Sequence, residues 1–149
     1  MKRITIDGKE YTFEFSIEAS MYSECTENVM ELFRTIGEAQ SQENARELIK
    51  SISNISTVAV TMFYAGLMEH HGVEGDKTVL SLSDAKKLIK KYLNEHKDDE
   101  KGSLYSVMEE MMEVMADDGF FEVIGLARMM RGEEKAPKTA QGRKKATGK

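Results

Sequence analysis

Glu69-His70-His71, followed by Glu74 and Asp76, is the densest set of potential metal ligands in this chain. A catalytic zinc needs about three protein ligands converging on one point, with a further position open. Neighbouring residues on a helix point about 100° apart, so only one of the two histidines can join Glu74 without a bend in the chain. The expectation is therefore a pair of exposed histidines at a helix end, with no metal. His96 follows a lysine-rich segment without a second histidine or a cysteine in phase, and is expected to cap a helix C-terminus.

Covalent catalysis needs a nucleophile beside a base and an orienting group. Cys25 falls at an apolar position of a helical repeat, where a thiol is inert packing. No serine lies in Gly-x-Ser-x-Gly, and neither Gly-x-Gly-x-x-Gly nor Gly-x-x-x-x-Gly-Lys-Ser/Thr occurs. The carboxylate pairs Asp98-Asp99, Glu109-Glu110 and Asp117-Asp118 are adjacent, so a helix splays them apart and they read as solubilising charge. No catalytic, cofactor-binding or metal residue is assigned, and the expectation is a protein that is not an enzyme.

Binding is the chemistry that remains. Six of the eleven methionines fall between Met108 and Met130. Met108, Met111, Met112 and Met115 recur at helical steps, and Phe120, Ile124, Met129 and Met130 continue the apolar supply. Unbranched thioethers repack around differently shaped partners, so these eight residues are expected to line a groove for an amphipathic client helix. Glu109, Glu110, Glu113, Asp117 and Asp118 would rim it and favour a basic client. The plainer reading is that these side chains fill a core.

The elements that must position these residues follow from the apolar period. Ile4 and Ile6 alternate with polar neighbours, Asp7-Gly8 supplies a turn, and Tyr11, Phe13 and Phe15 resume the alternation, predicting a hairpin over residues 3–15. Pairing across Asp7-Gly8 or Gly8-Lys9 puts these five side chains on one face. From Ser16 the period lengthens to that of a helix, with Ile17, Met21, Cys25, Val29, Leu32 and Ile36 in phase, Ser16 as N-cap and Gly37 as the stop. A second helix is expected from Ser41 with Ala45, Leu48, Ile49 and Ile52, then a break at Ser51–Asn54. A third runs from Asn54 through Val58, Met62, Phe63 and Leu67 to His70. After a loop at Gly72–Asp76, Ser83 is expected to cap a helix with Ala85, Leu88, Ile89, Tyr92 and Leu93 inside and Lys86, Lys87, Lys90 and Lys91 in water. His96–Gly102 reads as a charged linker. A helix from Leu104 is interrupted at Asp117-Asp118-Gly119, and the last runs from Phe120 to Met130. The fold class is mainly α: an N-terminal hairpin and a compact bundle of five or six helices.

With 149 residues, 40% of them hydrophobic and only one proline, the chain fits one helix-rich domain over 1–132. Residues 133–149 carry six Lys and Arg against two Glu, so of the formal charge of −5 this stretch holds +4 and the rest −9. Its composition predicts a flexible, disordered basic tail. An acidic body disfavours a phosphate backbone, which leaves nucleic acid to the tail alone. The lone Cys25 excludes an intramolecular disulfide, and neither a signal peptide nor a membrane-length apolar run is present, so a cytoplasmic protein is expected.

An opening Ile-Thr-Ile-Asp-Gly-Lys-Glu-Tyr hairpin, then amphipathic helices, an acidic body and a short basic tail, resembles the tail assembly chaperones of long-tailed bacteriophages of Gram-positive hosts. The shared layout spans about residues 2–132. The resemblance implies a non-virion, oligomer-forming protein of the host cytoplasm that binds the tape measure protein and helps recruit the tail tube protein. It also implies a longer frameshifted product, for which Gly142-Arg143-Lys144-Lys145 or Gly148-Lys149 would lie near the slip. Two alternatives stand beside it: a small acidic regulatory or antitoxin-like adaptor using the basic tail, and a metal-dependent enzyme built on His70 or His71.

Overall fold

The computed structural model describes residues 1–38 and 55–126. The expected second helix, the break at Ser51–Asn54, Met129, Met130 and the basic tail all lie outside the described residues. What is described is mainly helical, with one antiparallel strand pair at the N-terminus.

β1 (Lys2–Ile6) pairs with β2 (Lys9–Phe13), with Ile4 opposite Tyr11 and Ile6 opposite Lys9. Of the two registers the sequence allows, the turn is therefore Asp7-Gly8. Both turn residues have positive φ, 53° and 78°, a conformation that matches the right-handed twist of the flanking strands. Ile4, Ile6, Tyr11, Phe13 and Phe15 all point inward and are buried, as the alternation requires.

The helix expected from Ser16 to Gly37 is two helices. α1 (Ile17–Ser20) is a single turn that Ser16 caps by accepting from the Glu18 N–H, and α2 (Ser23–Glu38) follows after a break at Met21-Tyr22. The Ser20 hydroxyl bonds the Ile17 carbonyl at 2.7 Å, and Tyr22 turns its ring against Tyr64. Ala19 faces the core, while Ile17 and Met21 are 67% and 73% exposed. Cys25, Val29 and Leu32 are buried as expected, and α2 runs through Gly37 to Glu38 instead of stopping there.

α3 (Ile55–His71) is the central helix. Val58, Ala59, Met62, Phe63, Ala65, Gly66 and Leu67 are buried, a spread too wide for one stripe, so this helix is covered on most sides. It packs against β2, α1, α2, α4 and α5. α4 (Leu82–Glu95) buries Ala85, Leu88, Ile89 and Tyr92, half-buries Leu93, and leaves its four lysines exposed. Its cap is Ser81 and not Ser83: Ser81 Oγ accepts from the Asp84 N–H at 3.1 Å while Asp84 accepts from the Leu80 N–H at 3.0 Å, a reciprocal bracket unavailable two residues later. α5 (Leu104–Asp118) is capped by Ser103 and ends at Gly119 in the left-handed region. The helix expected over Phe120–Met130 is interrupted within the described residues, with Leu126 helical again after a turn at Ile124-Gly125. α6 spans Phe120–Val123, and Gly125 at φ +82° turns the chain out of it.

Gly8 has open space where a side chain would go, so its backbone angle alone resists substitution. Gly8→Val is expected to cost about 1–2 kcal/mol, because a β-branched residue resists positive φ. Urea denaturation of both proteins measures this, and an unchanged midpoint would remove the turn from the account.

Candidate functional site

α5 was expected to open a methionine groove, and its packing decides the matter. Met108, Met111 and Met115 are fully buried with Val107 and Val114, because this stripe covers α3. Phe120 is buried edge-on against Phe15, with ring centroids 5.5 Å apart. Met112 and Ile124 are half-buried and pack on the same core. Of the eight expected groove residues, the six that are described belong to the core or its margin, so the plainer reading holds for them. Helical periodicity marks the apolar stripe of a helix without distinguishing a stripe that meets another helix from one that meets a partner.

The expected acidic rim divides in two. Glu109, Glu113 and Asp117, at steps of four, form an exposed ridge along α5. Glu110 and Asp118 turn inward and are consumed by the fold. Glu110 Oε1 accepts from the Tyr92 hydroxyl at 2.8 Å, and Oε2 pairs with Lys2 Nζ at 2.6 Å. Asp118 Oδ2 accepts from the Phe15 N–H at 2.8 Å, and Oδ1 pairs with the N-terminal ammonium. Burial works to raise the Glu110 carboxyl, but the hydrogen bonds from Lys2 and Tyr92 outweigh it and hold it below the usual glutamate range. Burial and the same contact push the Tyr92 phenol well up. Glu109, Glu110 and Glu113 line a shallow open depression of about 350 Å³ with Lys2, Glu100, Lys101 and Ser106.

The histidines at the end of α3 are not the exposed pair expected. His70 is half-exposed, with Nε2 2.6 Å from Glu14 Oε1. His71 is buried beneath Tyr11, whose ring centroid lies 5.2 Å away. Its Nε2 accepts from the Thr12 N–H at 2.9 Å, and Nδ1 faces Asp76 Oδ2 at 3.1 Å and the Thr78 hydroxyl at 3.4 Å. Asp76 is held below the ordinary aspartate range, chiefly by the Thr78 hydroxyl, with His71 a smaller contributor. Glu69 accepts from the Ser16 hydroxyl instead of joining the histidines. Among the described residues no three His, Cys, Asp or Glu side chains converge on a metal-sized site. An imidazole whose Nε2 is filled by a backbone donor also has no lone pair left for a substrate.

His96 caps α4 as expected, and its Nδ1 lies 2.9 Å from Asp99 Oδ2, a contact that lowers the Asp99 carboxyl. Burial pushes the Cys25 thiol up to about 12, which removes the thiolate a nucleophile needs. Among the described residues no helix is long and apolar enough to cross a membrane. Set against known protein families, curated proteins and solved structures, the chain has no significant match.

Two acids that the sequence pattern groups with solubilising charge, Glu110 and Asp118, instead hold the hairpin. A usable signal was present, since both fall nearer the apolar stripe of α5 than Glu109, Glu113 and Asp117 do. Glu110→Gln is expected to lower stability at neutral pH by about 1 kcal/mol through loss of the charged acceptor. The folded carboxyl lies below its ordinary value of 4.5, so its contribution is present above that value and lost as pH falls through the lower folded one. Urea midpoints for the two proteins should differ near neutrality and converge in acid; a difference constant with pH would refute the assignment.

Proposed function

We propose that the chain is a tail assembly chaperone of a long-tailed bacteriophage of a Gram-positive host, acting by binding and without catalysis. The observation that carries this reading is the order of elements: a short Asp-Gly hairpin opening the chain and seated on a mainly helical, acidic body. Its client is the tape measure protein, and it helps recruit tail tube subunits during tail morphogenesis without remaining in the virion. Because Met108, Met111 and Met115 are buried, the client surface we propose is the outer face of α5 and not its inner stripe. There exposed Glu109, Glu113 and Asp117 run beside half-buried Met112, and an acidic ridge of this kind favours a basic client segment.

Co-expression with a tape measure protein tests both levels of the reading. The wild-type chain should co-purify with it. The triple variant Glu109→Lys, Glu113→Lys, Asp117→Lys, which alters exposed positions only, should remain folded and bind at least about tenfold more weakly. Failure of the wild-type chain to bind would sink the proposed function. Normal binding by a folded triple variant would sink the α5 ridge alone.

A further inference from the structure

The outer edge of β2 is fastened to α3 by two backbone hydrogen bonds whose acceptors differ in kind. Glu14 N–H donates to the Gly66 carbonyl at 2.9 Å, an acceptor that pH does not alter. Thr12 N–H donates to Nε2 of His71 at 2.9 Å, an acceptor that exists only while that nitrogen is unprotonated. The other side of the ring fixes this arrangement. Nδ1 faces the Asp76 carboxylate at 3.1 Å, so the single ring proton of neutral His71 sits on Nδ1 and the lone pair on Nε2.

We infer that His71 is an acid-released clip: a proton taken up at Nε2 evicts the Thr12 N–H and frees β2 from the end of α3. The arriving proton finds no acceptor at that position, because the group opposite is itself a donor. The surrounding charges pull in both directions. Asp76, from the loop after α3, favours the imidazolium. From β2, the Lys9 ammonium opposes it, lying 5.1 Å over the same Tyr11 ring that covers the imidazole. On α3 itself, His70 is 6.5 Å away between ring centroids and is paired with Glu14, while Glu69 is engaged by Ser16. Release is confined to the Thr12 and Tyr11 part of the hairpin, and the Glu14 end stays fastened.

Amide hydrogen exchange on the full chain, followed by NMR at about pH 8 and about pH 5 and corrected for intrinsic rates, tests the clip. The Thr12 amide should lose about tenfold in protection relative to the Glu14 amide on acidification, the scale of one released hydrogen bond. His71→Gln supplies a carboxamide oxygen that does not titrate, and should abolish the pH dependence at Thr12 while leaving Glu14 unchanged. Parallel loss of protection at Thr12 and Glu14 would overturn the inference, as would a wild-type pH dependence persisting in His71→Gln. The comparison of the two amides within the wild-type chain stands even if the variant fails to fold.

Discussion

A two-stranded sheet is marginal by itself, so this hairpin exists only because α3 lets it come close. The point of approach is Gly66. A Cβ there would lie 2.9 Å from Phe15 Cζ, closer than packed carbons come, and 3.1 Å from Phe13 Cδ2, tighter than most packed carbons. The missing side chain lets both rings lie on the helix backbone, where Phe13 meets Phe63 edge-on with centroids 4.9 Å apart. It also brings the Gly66 carbonyl within 2.9 Å of the Glu14 N–H. Glycine in a helix interior costs up to about 1 kcal/mol in propensity, and the burial of two phenyl rings exceeds that.

Once the hairpin is seated, its unpaired backbone donors decide which helix ends must be acidic or basic. Thr12, Glu14 and Phe15 donate from β2 and its extension to His71, Gly66 and Asp118, and Asp7 donates to Glu95. The C-terminal ends of α3, α4 and α5 each supply an acceptor. A donor without a partner in a buried setting is costly, so these contacts hold three helix ends around one strand pair. They also account for Asp118, an acid of α5 that faces inward among neighbours that face water, while inward Glu110 is held by the Tyr92 hydroxyl and the Lys2 ammonium.

The parts legible in the sequence are those governed by local rules. Alternation of Ile4, Ile6, Tyr11, Phe13 and Phe15 around Asp7-Gly8 specifies the hairpin, and Ser16 is recognisable as a cap. The break at Met21-Tyr22 was not legible, because Ile17 and Met21 keep the helical phase of Cys25 even though tertiary packing turns Ala19 inward instead. The site was less legible than the fold. A stripe of Met108, Met111 and Met115 has the same spacing whether it meets α3 or a client, and His71 resembles an exposed helix-end histidine until Tyr11 and Thr12 are folded over it. Gly66 left no mark at all, since a single glycine in an apolar run signals only a weak propensity penalty.

The central claim is that Gly66 is required because Phe15 occupies the space of its absent side chain. A double-mutant cycle of Gly66→Ala and Phe15→Leu, measured by urea unfolding, tests that pair directly. The account predicts that Gly66→Ala destabilises the wild-type background but costs at least about 1 kcal/mol less when Phe15 is Leu, because the shorter side chain vacates the position of the new methyl. Equal cost in both backgrounds would mean that the ring and the glycine are independent, and that the hairpin is seated by something else.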